Sequence, residues 1–196
     1  MTSQHPTFSL IDELRSILEP QCIYAGDTED SITLKEDNPK SKCNSVRLRK
    51  SERIKTLTLN IDKEGFDAHP LLRAIENLKK HPDYIIFCED IHTREIYVLI
   101  AELKSGDKDD FHRKVRAGIA IVDYLIGMLE NYKKRTFKKF QFEYRGLLFY
   151  TGVGKEHSDP NFEYDIHPEL GYKYTAKPCK GKPLKIFLKF KIAYST

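Results

Sequence analysis

A chain of 196 residues, 40% of them hydrophobic, is long enough to bury one sizeable core, and no linker divides it into separate domains. No apolar run reaches the roughly 18 residues that suggest a membrane-spanning helix, and no charged-then-apolar leader is recognisable, so the composition argues against membrane insertion and secretion. The net charge of +4 is compatible with a nucleic-acid partner, although positive and negative charges are mixed along the chain.

The four cysteines, Cys22, Cys43, Cys88 and Cys179, are widely scattered in the sequence. They form no Cys-x-x-Cys pair, which argues against a zinc site. We therefore expect reduced thiols in a cytoplasmic protein.

The N-terminal part of the chain predicts one short helix. Hydrophobic residues recur at helical spacing from Thr7 to Leu18. Glu13 in this helix is most simply a solvent-facing carboxylate. The rest of residues 1–44 is polar, with a short strand at Ser31–Leu34, and we place this segment at the periphery of the fold.

The next segment predicts a basic hairpin and then a helix. Apolar and basic residues alternate from Ser45 to Asp62 about a charged turn, which is typical of a hairpin that supplies the first strand or strands of a sheet. Its basic side chains are suited either to contact phosphates or to protect a sheet edge. Glu52 in the turn is an alternative candidate for a further metal-binding carboxylate. Helical spacing returns from Pro70 to Lys80.

The stretch from Asp83 to Lys104 is the one around which the chain is organised. Two apolar runs, Tyr84–Cys88 and Ile96–Ala101, flank a polar turn and predict a β-hairpin. The second run is apolar at every position, which predicts a central strand covered on both faces. Beyond its end, Glu102 and Lys104 point the same way because residues two apart share a face of a strand.

A hairpin can bring Asp83 beside Glu102, where two carboxylates in a partly dry place repel each other unless a cation joins them. Mg²⁺ is a suitable cation because it takes one or two carboxylates as ligands and leaves positions for water and phosphate. Lys104 would then polarise or help deprotonate the attacking water. The plainer interpretation is a solvated strand end, with Asp83 in the turn before its strand.

Pro82-Asp83, followed after eighteen residues by Glu102-Leu103-Lys104, resembles the motif of the PD-(D/E)xK, or restriction-endonuclease-like, nuclease superfamily. The resemblance implies an α/β fold with a core of helix, three-stranded meander, helix and strand (αβββαβ). This core is a central mixed β-sheet flanked by helices, here with N-terminal and C-terminal additions. The resemblance also implies that Asp83, Glu102 and Lys104 are catalytic. Asp83, Glu102 and the main-chain carbonyl of Leu103 would bind Mg²⁺, with Mn²⁺ as a substitute. Many members of the superfamily carry an extra acidic residue on their first helix, and Glu13 is the candidate for it here.

The activity expected from this resemblance is a metal-dependent endonuclease that hydrolyses phosphodiester bonds, in DNA rather than RNA by preference. A catalytically inactive protein of the same fold, binding nucleic acid or a partner in a defence or mobile-element system, is the alternative. An α/β interaction module without a nucleic-acid role is a third interpretation. A homodimer is one oligomeric state that we keep open.

Hydrophobic residues at helical spacing from Phe111 to Leu129 predict a long helix with a broad apolar face. Basic residues in its first turns and in the stretch Lys133–Lys139 are candidates for phosphate contact, although each is also explained as a solvated charge or a helix end. These candidates are His112, Lys114, Arg116, Lys134, Arg135 and Lys138.

The remaining chain predicts two strands separated by a loop. Tyr144–Thr151 is apolar and aromatic and completes a core that we assign to residues 45–151. Lys155–Lys182 reads as a loop whose histidines and aspartates lack the ordered spacing of a metal site. Alternation from Leu184 to Ile192 predicts an edge strand with outward lysines. Residues 1–196 are thus expected to form a single nuclease-like domain.

Overall fold

The computed structural model describes residues 8–36, 43–63, 73, 75, 79–104, 110–137, 140, 142–151, 164–179 and 184–187. The described chain forms an α/β fold with helices α1 (Leu10–Arg15) and α2 (Phe111–Lys133) and a 3-10 turn at Pro20–Cys22. Neither described helix combines the length and the apolar character that crossing a bilayer requires. The strands are β1 (Ser31–Lys35), β2 (Ser45–Arg49), β3 (Ile54–Asn60), β4 (Tyr84–Asp90), β5 (Ile96–Lys104), β6 (Phe142–Thr151), β7 (Asp165–Ile166), β8 (Lys173–Cys179) and β9 (Leu184–Phe187).

A mixed six-stranded sheet with the order β3-β4-β5-β6-β8-β7 forms the centre of the fold. Its strands β3, β4 and β5 are an antiparallel meander, whereas β6 and β8 run parallel to β5. The parallel pairing of β5 with β6 requires a long crossover, and α2 supplies it. Helix, three antiparallel strands, helix and strand therefore follow one another as α1, β3–β5, α2 and β6, with β1 and β2 inserted after α1.

The strand β5 is the buried central strand that the sequence predicts, and every residue from Ile96 to Leu103 is buried. Its side chains alternate between two hydrophobic cores, one beneath the helices and one beneath the smaller sheet β1-β2-β9. Ile96, Val98 and Ile100 join the first core, and Tyr97, Leu99, Ala101 and Leu103 join the second. Double coverage explains why both faces of this strand are apolar.

The predicted hairpin between the two basic strands is wrong. The strand β2 pairs with β1 and β9 in the smaller sheet, whereas β3 pairs with β4 in the larger one. The chain passes between the sheets at residues 50–53, where Lys50 Nζ lies 2.9 Å from Asp27 Oδ1 in a buried ion pair. Alternation along a strand determines which face is buried but does not determine the partner strand.

The helix α1 belongs to the core, instead of lying at the periphery where the sequence placed it. Leu10, Ile11 and Leu14 are fully buried in the core that also holds α2. The helix begins after Ser9, whose hydroxyl accepts a hydrogen bond from the Asp12 main-chain N–H at 3.4 Å. A six-residue helix has little stability alone, so this burial is what stabilises it.

The C-terminal part of the chain differs from the prediction at two strands. Residues 165–166 and 173–179, expected in a loop, form β7 and β8, and β8 pairs with β6 in the larger sheet. Pro178 argues against a strand in the sequence, because proline has no main-chain N–H to donate. The strand β7 pairs only with the other end of β8, so no N–H is needed on that side of residue 178. The predicted edge strand is present as β9 beside β2. Its continuation beyond residue 187, and most of the predicted helix Pro70–Lys80, lie outside the described residues.

The expectation of four reduced thiols is wrong at Cys43, which is disulfide-bonded. Cys22 and Cys88 are free and buried. Cys43 lies just before β2, and pairing with β9 brings the distant C-terminal part of the chain to this strand. Spacing along the sequence does not reveal such a contact.

Candidate active site

The strands β4 and β5 bring the three predicted catalytic residues together. Because Tyr84 pairs with Ala101, Asp83 directly before β4 lies opposite Glu102. Asp83 Oδ2 accepts a hydrogen bond of 2.7 Å from the main-chain N–H of Leu103. Lys104 Nζ lies 3.9 Å from Glu102 Oε1. The predicted convergence of Asp83, Glu102 and Lys104 is therefore present in the structure.

The side chain of Glu102 points toward the helices because it continues the face of β5 that begins with Ile96, Val98 and Ile100. Only 3% of this side chain is exposed, whereas the Lys104 side chain is 20% exposed. Leu103, between them, is buried in the opposite core. The strand end is thus polar on one face only, and its carboxylate lies under α2 and not in bulk solvent.

Lys114 of α2 lies at the centre of the site, although its position in the sequence suggested only a weak phosphate contact. Its Nζ atom is 2.6 Å from Glu102 Oε1 and 3.7 Å from Asp83 Oδ1. The side chains of Lys114 and Asp83 are 14% and 15% exposed, so the ammonium is largely enclosed with the carboxylates. One lysine therefore bridges both acidic residues.

Two glycines explain how α2 approaches the sheet closely enough to place Lys114. A Cβ atom at Gly118 would lie 2.9 Å from Ile100 Cγ2, closer than carbon atoms normally pack. A Cβ atom at Gly146 of β6 would lie 2.9 Å from the ring of Phe111 at the start of the helix. The absence of side chains at both positions lets the N-terminal half of α2 lie directly on β5 and β6.

The charges at the site perturb one another strongly. Burial and the neighbouring Glu102 charge hold the pKa of Asp83 well above its ordinary value. Burial alone would lower the pKa of Lys114, but the charges of Glu102 and Asp83 more than offset this effect, so its pKa is raised. The lysine is therefore a cation at neutral pH, and Asp83 takes up a proton more readily than an ordinary aspartate.

The carboxylate pair fits a hard cation such as Mg²⁺. Glu102 Oε2 is buried and has no hydrogen-bond partner within the described parts of the chain, so it is an acceptor that a cation would satisfy. Among the same residues, no group of three or more His, Cys, Asp and Glu side chains is arranged to hold a metal. The donor set is thus two carboxylates, which is a usual protein contribution to a Mg²⁺ site.

A cavity of about 410 Å³ opens beside the carboxylate pair. Lys104 and Lys114 line it together with Asp62, which follows β3. Lys80, another lining residue, is ion-paired with Asp110 just before α2. The full lining is Asp62, Ile75, Lys79, Lys80, His81, Lys104, Asp110 and Lys114, and it is predominantly basic. Such a lining is suited to an anionic group next to the carboxylates.

The two alternative acidic ligands, Glu13 and Glu52, do not reach the site. Glu13 Oε2 lies 2.8 Å from Lys133 Nζ at the far end of α2, and Glu13 also pairs with Arg135. Glu52 lines a second cavity near the start of β3. The start of β3 pairs with Asp90, which lies at the end of β4 far from Asp83. Glu52 therefore lies near the opposite end of these strands.

The other predicted phosphate contacts lie elsewhere on the molecule. His112 Nδ1 shares a hydrogen bond of 2.6 Å with the Tyr172 hydroxyl, and its ring packs against His167. Arg135 lies over the Phe8 ring at 3.9 Å in addition to pairing with Glu13. Arg116 is exposed, Lys134 is the left-handed C-cap of α2, and Lys138 lies outside the described residues. Contact of these residues with nucleic acid stays a prediction.

The sequence reasoning missed Asp62 and the basic residues 79–81. A signal for Asp62 exists, because it follows β3 directly and Ile61 N–H approaches Asp83 O at 3.4 Å where β3 meets β4. Because β3 is antiparallel to β4, an acidic residue just after β3 is expected at the same end of the strands as Asp83, just before β4. For Lys79 and Lys80 the sequence predicts only the end of the helix Pro70–Lys80.

Comparison with known proteins gives no relative for this chain. No protein-family model, no curated protein and no solved structure matches it. The functional interpretation therefore depends on the arrangement of Asp83, Glu102, Lys104 and Lys114 described above.

Proposed function

We propose that this protein is a metal-dependent nuclease with a restriction-endonuclease-like core, acting on phosphodiester bonds, in DNA by preference. The observation that carries this proposal is the convergence of Asp83, Glu102 and Lys104 at the end of the central strand, beside a basic cavity. The order α1, antiparallel meander β3–β5, α2 and parallel β6 supports it, because the resemblance of the motif implies the same order.

The proposed roles follow from the positions of the side chains. Asp83 and Glu102 would hold Mg²⁺ or Mn²⁺, with the Leu103 carbonyl as a third ligand. The bound cation would supply Lewis-acid stabilisation of charge on the phosphate. Lys104 shares a strand face with Glu102 and lines the cavity, which supports a role in orienting a water and in holding or accepting its proton. The neighbouring Lys80 would bind an adjoining phosphate.

A second candidate is a nucleic-acid-binding protein of the same fold that does not cleave. The position of Lys114 favours it, since an ammonium 2.6 Å from Glu102 Oε1 already balances one of the two carboxylate charges. In this case the cavity still attracts phosphate, but the carboxylates serve the structure. The two candidates differ in whether bound nucleic acid is hydrolysed when metal is supplied.

A cleavage assay distinguishes them. We would incubate the protein with supercoiled plasmid, single-stranded DNA and RNA in Mg²⁺, Mn²⁺ or EDTA, and compare Asp83→Asn and Lys104→Met with the remote control Glu13→Gln. We expect cleavage only with metal, and losses of about 10²-fold or more in the two site variants. Circular dichroism checks that each variant is folded.

Each outcome of this assay favours one interpretation. Binding of nucleic acid without cleavage in any metal would support the inactive protein. An absence of both binding and cleavage would contradict both proposals. Cleavage that persists in Asp83→Asn would show that hydrolysis originates from another site or from a contaminant.

A further inference from the structure

The ammonium of Lys114 lies where a cation shared by the two carboxylates is expected. It is 2.6 Å from Glu102 Oε1 and 3.7 Å from Asp83 Oδ1. Lys104, the lysine of the motif, is 3.9 Å from Glu102 Oε1, and its side chain is more exposed than that of Lys114. The helix lysine, and not the motif lysine, is therefore the principal counter-ion of the carboxylate pair.

We propose that Lys114 is a built-in competitor for the metal: it occupies the cation position between Asp83 and Glu102 and must move aside before a divalent cation binds there. This inference rests on the proposed function, because it assumes that the pair is a metal site. It assigns to Lys114 control of metal occupancy, in place of the direct phosphate contact that the sequence suggested.

Electrostatics makes the two cations mutually exclusive at this position. Two like charges a few ångströms apart in a partly buried site repel by several kcal/mol, even at an effective dielectric constant of about 20. The carboxylates cannot offset this repulsion fully, since Glu102 Oε1 is already engaged by the lysine. Glu102 Oε2 is buried and has no hydrogen-bond partner among the described residues. Metal affinity should therefore be limited by the cost of displacing Lys114.

The structure also provides a place for the displaced side chain. Lys114 lines the cavity of about 410 Å³, and Asp62 lines the same cavity. The Asp62 charge acts on Lys114 in the present structure as well, although Glu102 and Asp83 act more strongly. A lysine side chain has a flexible four-carbon stem, so its ammonium can leave the carboxylates for Asp62, or for an anionic group in the cavity, without movement of α2.

The test measures metal binding directly, without reference to cleavage. Mn²⁺ would be titrated by isothermal calorimetry and by electron paramagnetic resonance into the wild type, Lys114→Gln and Lys114→Arg. Gln keeps a hydrogen-bond donor for Glu102 but removes the charge, whereas Arg keeps the charge. Lys133→Gln, at the far end of the same helix, is the matched control for a lost positive charge.

We expect Lys114→Gln to tighten Mn²⁺ binding about tenfold or more, because the like-charge repulsion is removed. Lys114→Arg and Lys133→Gln should bind Mn²⁺ much as the wild type does. In EDTA, the midpoint temperature of thermal unfolding should be lower for Lys114→Gln than for the wild type. Added Mn²⁺ should raise this temperature by more in Lys114→Gln than in the wild type. An equal gain in Lys133→Gln would overturn the inference, because a general charge effect would then explain the result.

The outcomes separate this inference from the proposed function. One possible result is that the wild type binds Mn²⁺, that Glu102→Gln abolishes this binding, and that Lys114→Gln binds no more tightly than the wild type. In that case Lys114 is not a competitor, but the metal site is supported. If Lys114→Gln binds Mn²⁺ and the wild type does not, the inference is supported and the inactive candidate is favoured. If neither binds, both the inference and the metal-dependent function are wrong.

Discussion

The main-chain N–H of Leu103 donates a hydrogen bond of 2.7 Å to Asp83 Oδ2, which joins the first acidic residue of the motif to the strand that carries the others. The contact extends the pairing of β4 with β5 by one step beyond Tyr84 and Ala101. A slip of one residue would turn Asp83 to the opposite face of the sheet, away from Glu102. Because the buried strands β4 and β5 carry the acidic residues, they fix the geometry of the site more firmly than loops would.

Substitution of Lys104 should separate catalysis from metal binding. We expect Lys104→Met to lower the single-turnover cleavage rate by about 10²-fold or more, which is typical for loss of a positioned proton-transfer group. Its Nζ is 3.9 Å from the nearest oxygen of Glu102, so the Mn²⁺ affinity should change much less than in Lys114→Gln. A large change in Mn²⁺ affinity without loss of rate would contradict this division of roles.

The close packing of α2 on β5 predicts that one substitution destabilises the protein at one glycine and has little effect at another. Gly118→Val should lower the free energy of unfolding by about 2 kcal/mol, since even its Cβ would lie 2.9 Å from Ile100 Cγ2. A Cβ at Gly127 meets nothing within 4 Å, so Gly127→Val should change the free energy of unfolding by no more than about 0.5 kcal/mol. Urea denaturation measures both values.

The same pair of variants also tests how Lys114 is positioned. A helix pushed away from β5 at Gly118 carries Lys114 with it, so Gly118→Val should alter Mn²⁺ affinity in addition to stability. Gly127→Val is about two and a half turns further along α2 and should leave Mn²⁺ affinity unchanged. Equal stability of the two variants would show that the core beside Ile100 adapts without cost.

The sequence predicts well those features that depend on local pattern. The run of apolar residues at every position from Ile96 to Ala101 identifies a strand covered on both faces. The abrupt change to a charged residue at Glu102 marks the polar end of this strand, where Asp83 lies opposite. Helical spacing likewise identifies α2. These are properties of one element, read from residues that are close together in the chain.

Features that depend on which elements meet are not readable in this way. The strand β2 has the alternation of a hairpin partner for β3, yet it pairs with β1 and β9. Lys114 lies in the first turns of α2 with several other basic residues, and only the packing of the helix on β5 selects it to contact Glu102. The disulfide at Cys43 similarly depends on contacts between distant segments.

Loss of Glu13 should affect stability and leave the active site unchanged. Its carboxylate pairs with Lys133 and Arg135, and these partners lower its pKa, so it joins α1 to the end of α2. These groups are partly exposed, so we expect Glu13→Gln to lower the free energy of unfolding by about 1 kcal/mol or less. Mn²⁺ affinity and cleavage rate should equal those of the wild type. A loss of Mn²⁺ binding in Glu13→Gln would instead show that Glu13 contributes to the metal site.

The histidine cluster beside α2 predicts a stability that decreases in mild acid. Burial and the neighbouring His167 lower the pKa of His112 below its ordinary value of about 6.5, and the surrounding groups are Tyr172, Tyr174 and the more distant Arg116. The unfolded chain therefore binds the proton more readily, so the contribution of neutral His112 is complete above pH 6.5 and is lost as pH falls toward its folded pKa.

The difference in free energy of unfolding between the wild type and His112→Gln isolates this contribution from other titrating groups. Above pH 7 the wild type should be more stable by about 1 kcal/mol, which is typical for the hydrogen bond that His112 makes with Tyr172. The difference should shrink between pH 6.5 and 5, because protonation then costs the wild type stability that the glutamine variant does not lose. Urea denaturation at several pH values measures it, and a difference that stays constant or grows in acid would show that His112 is readily protonated in the folded protein.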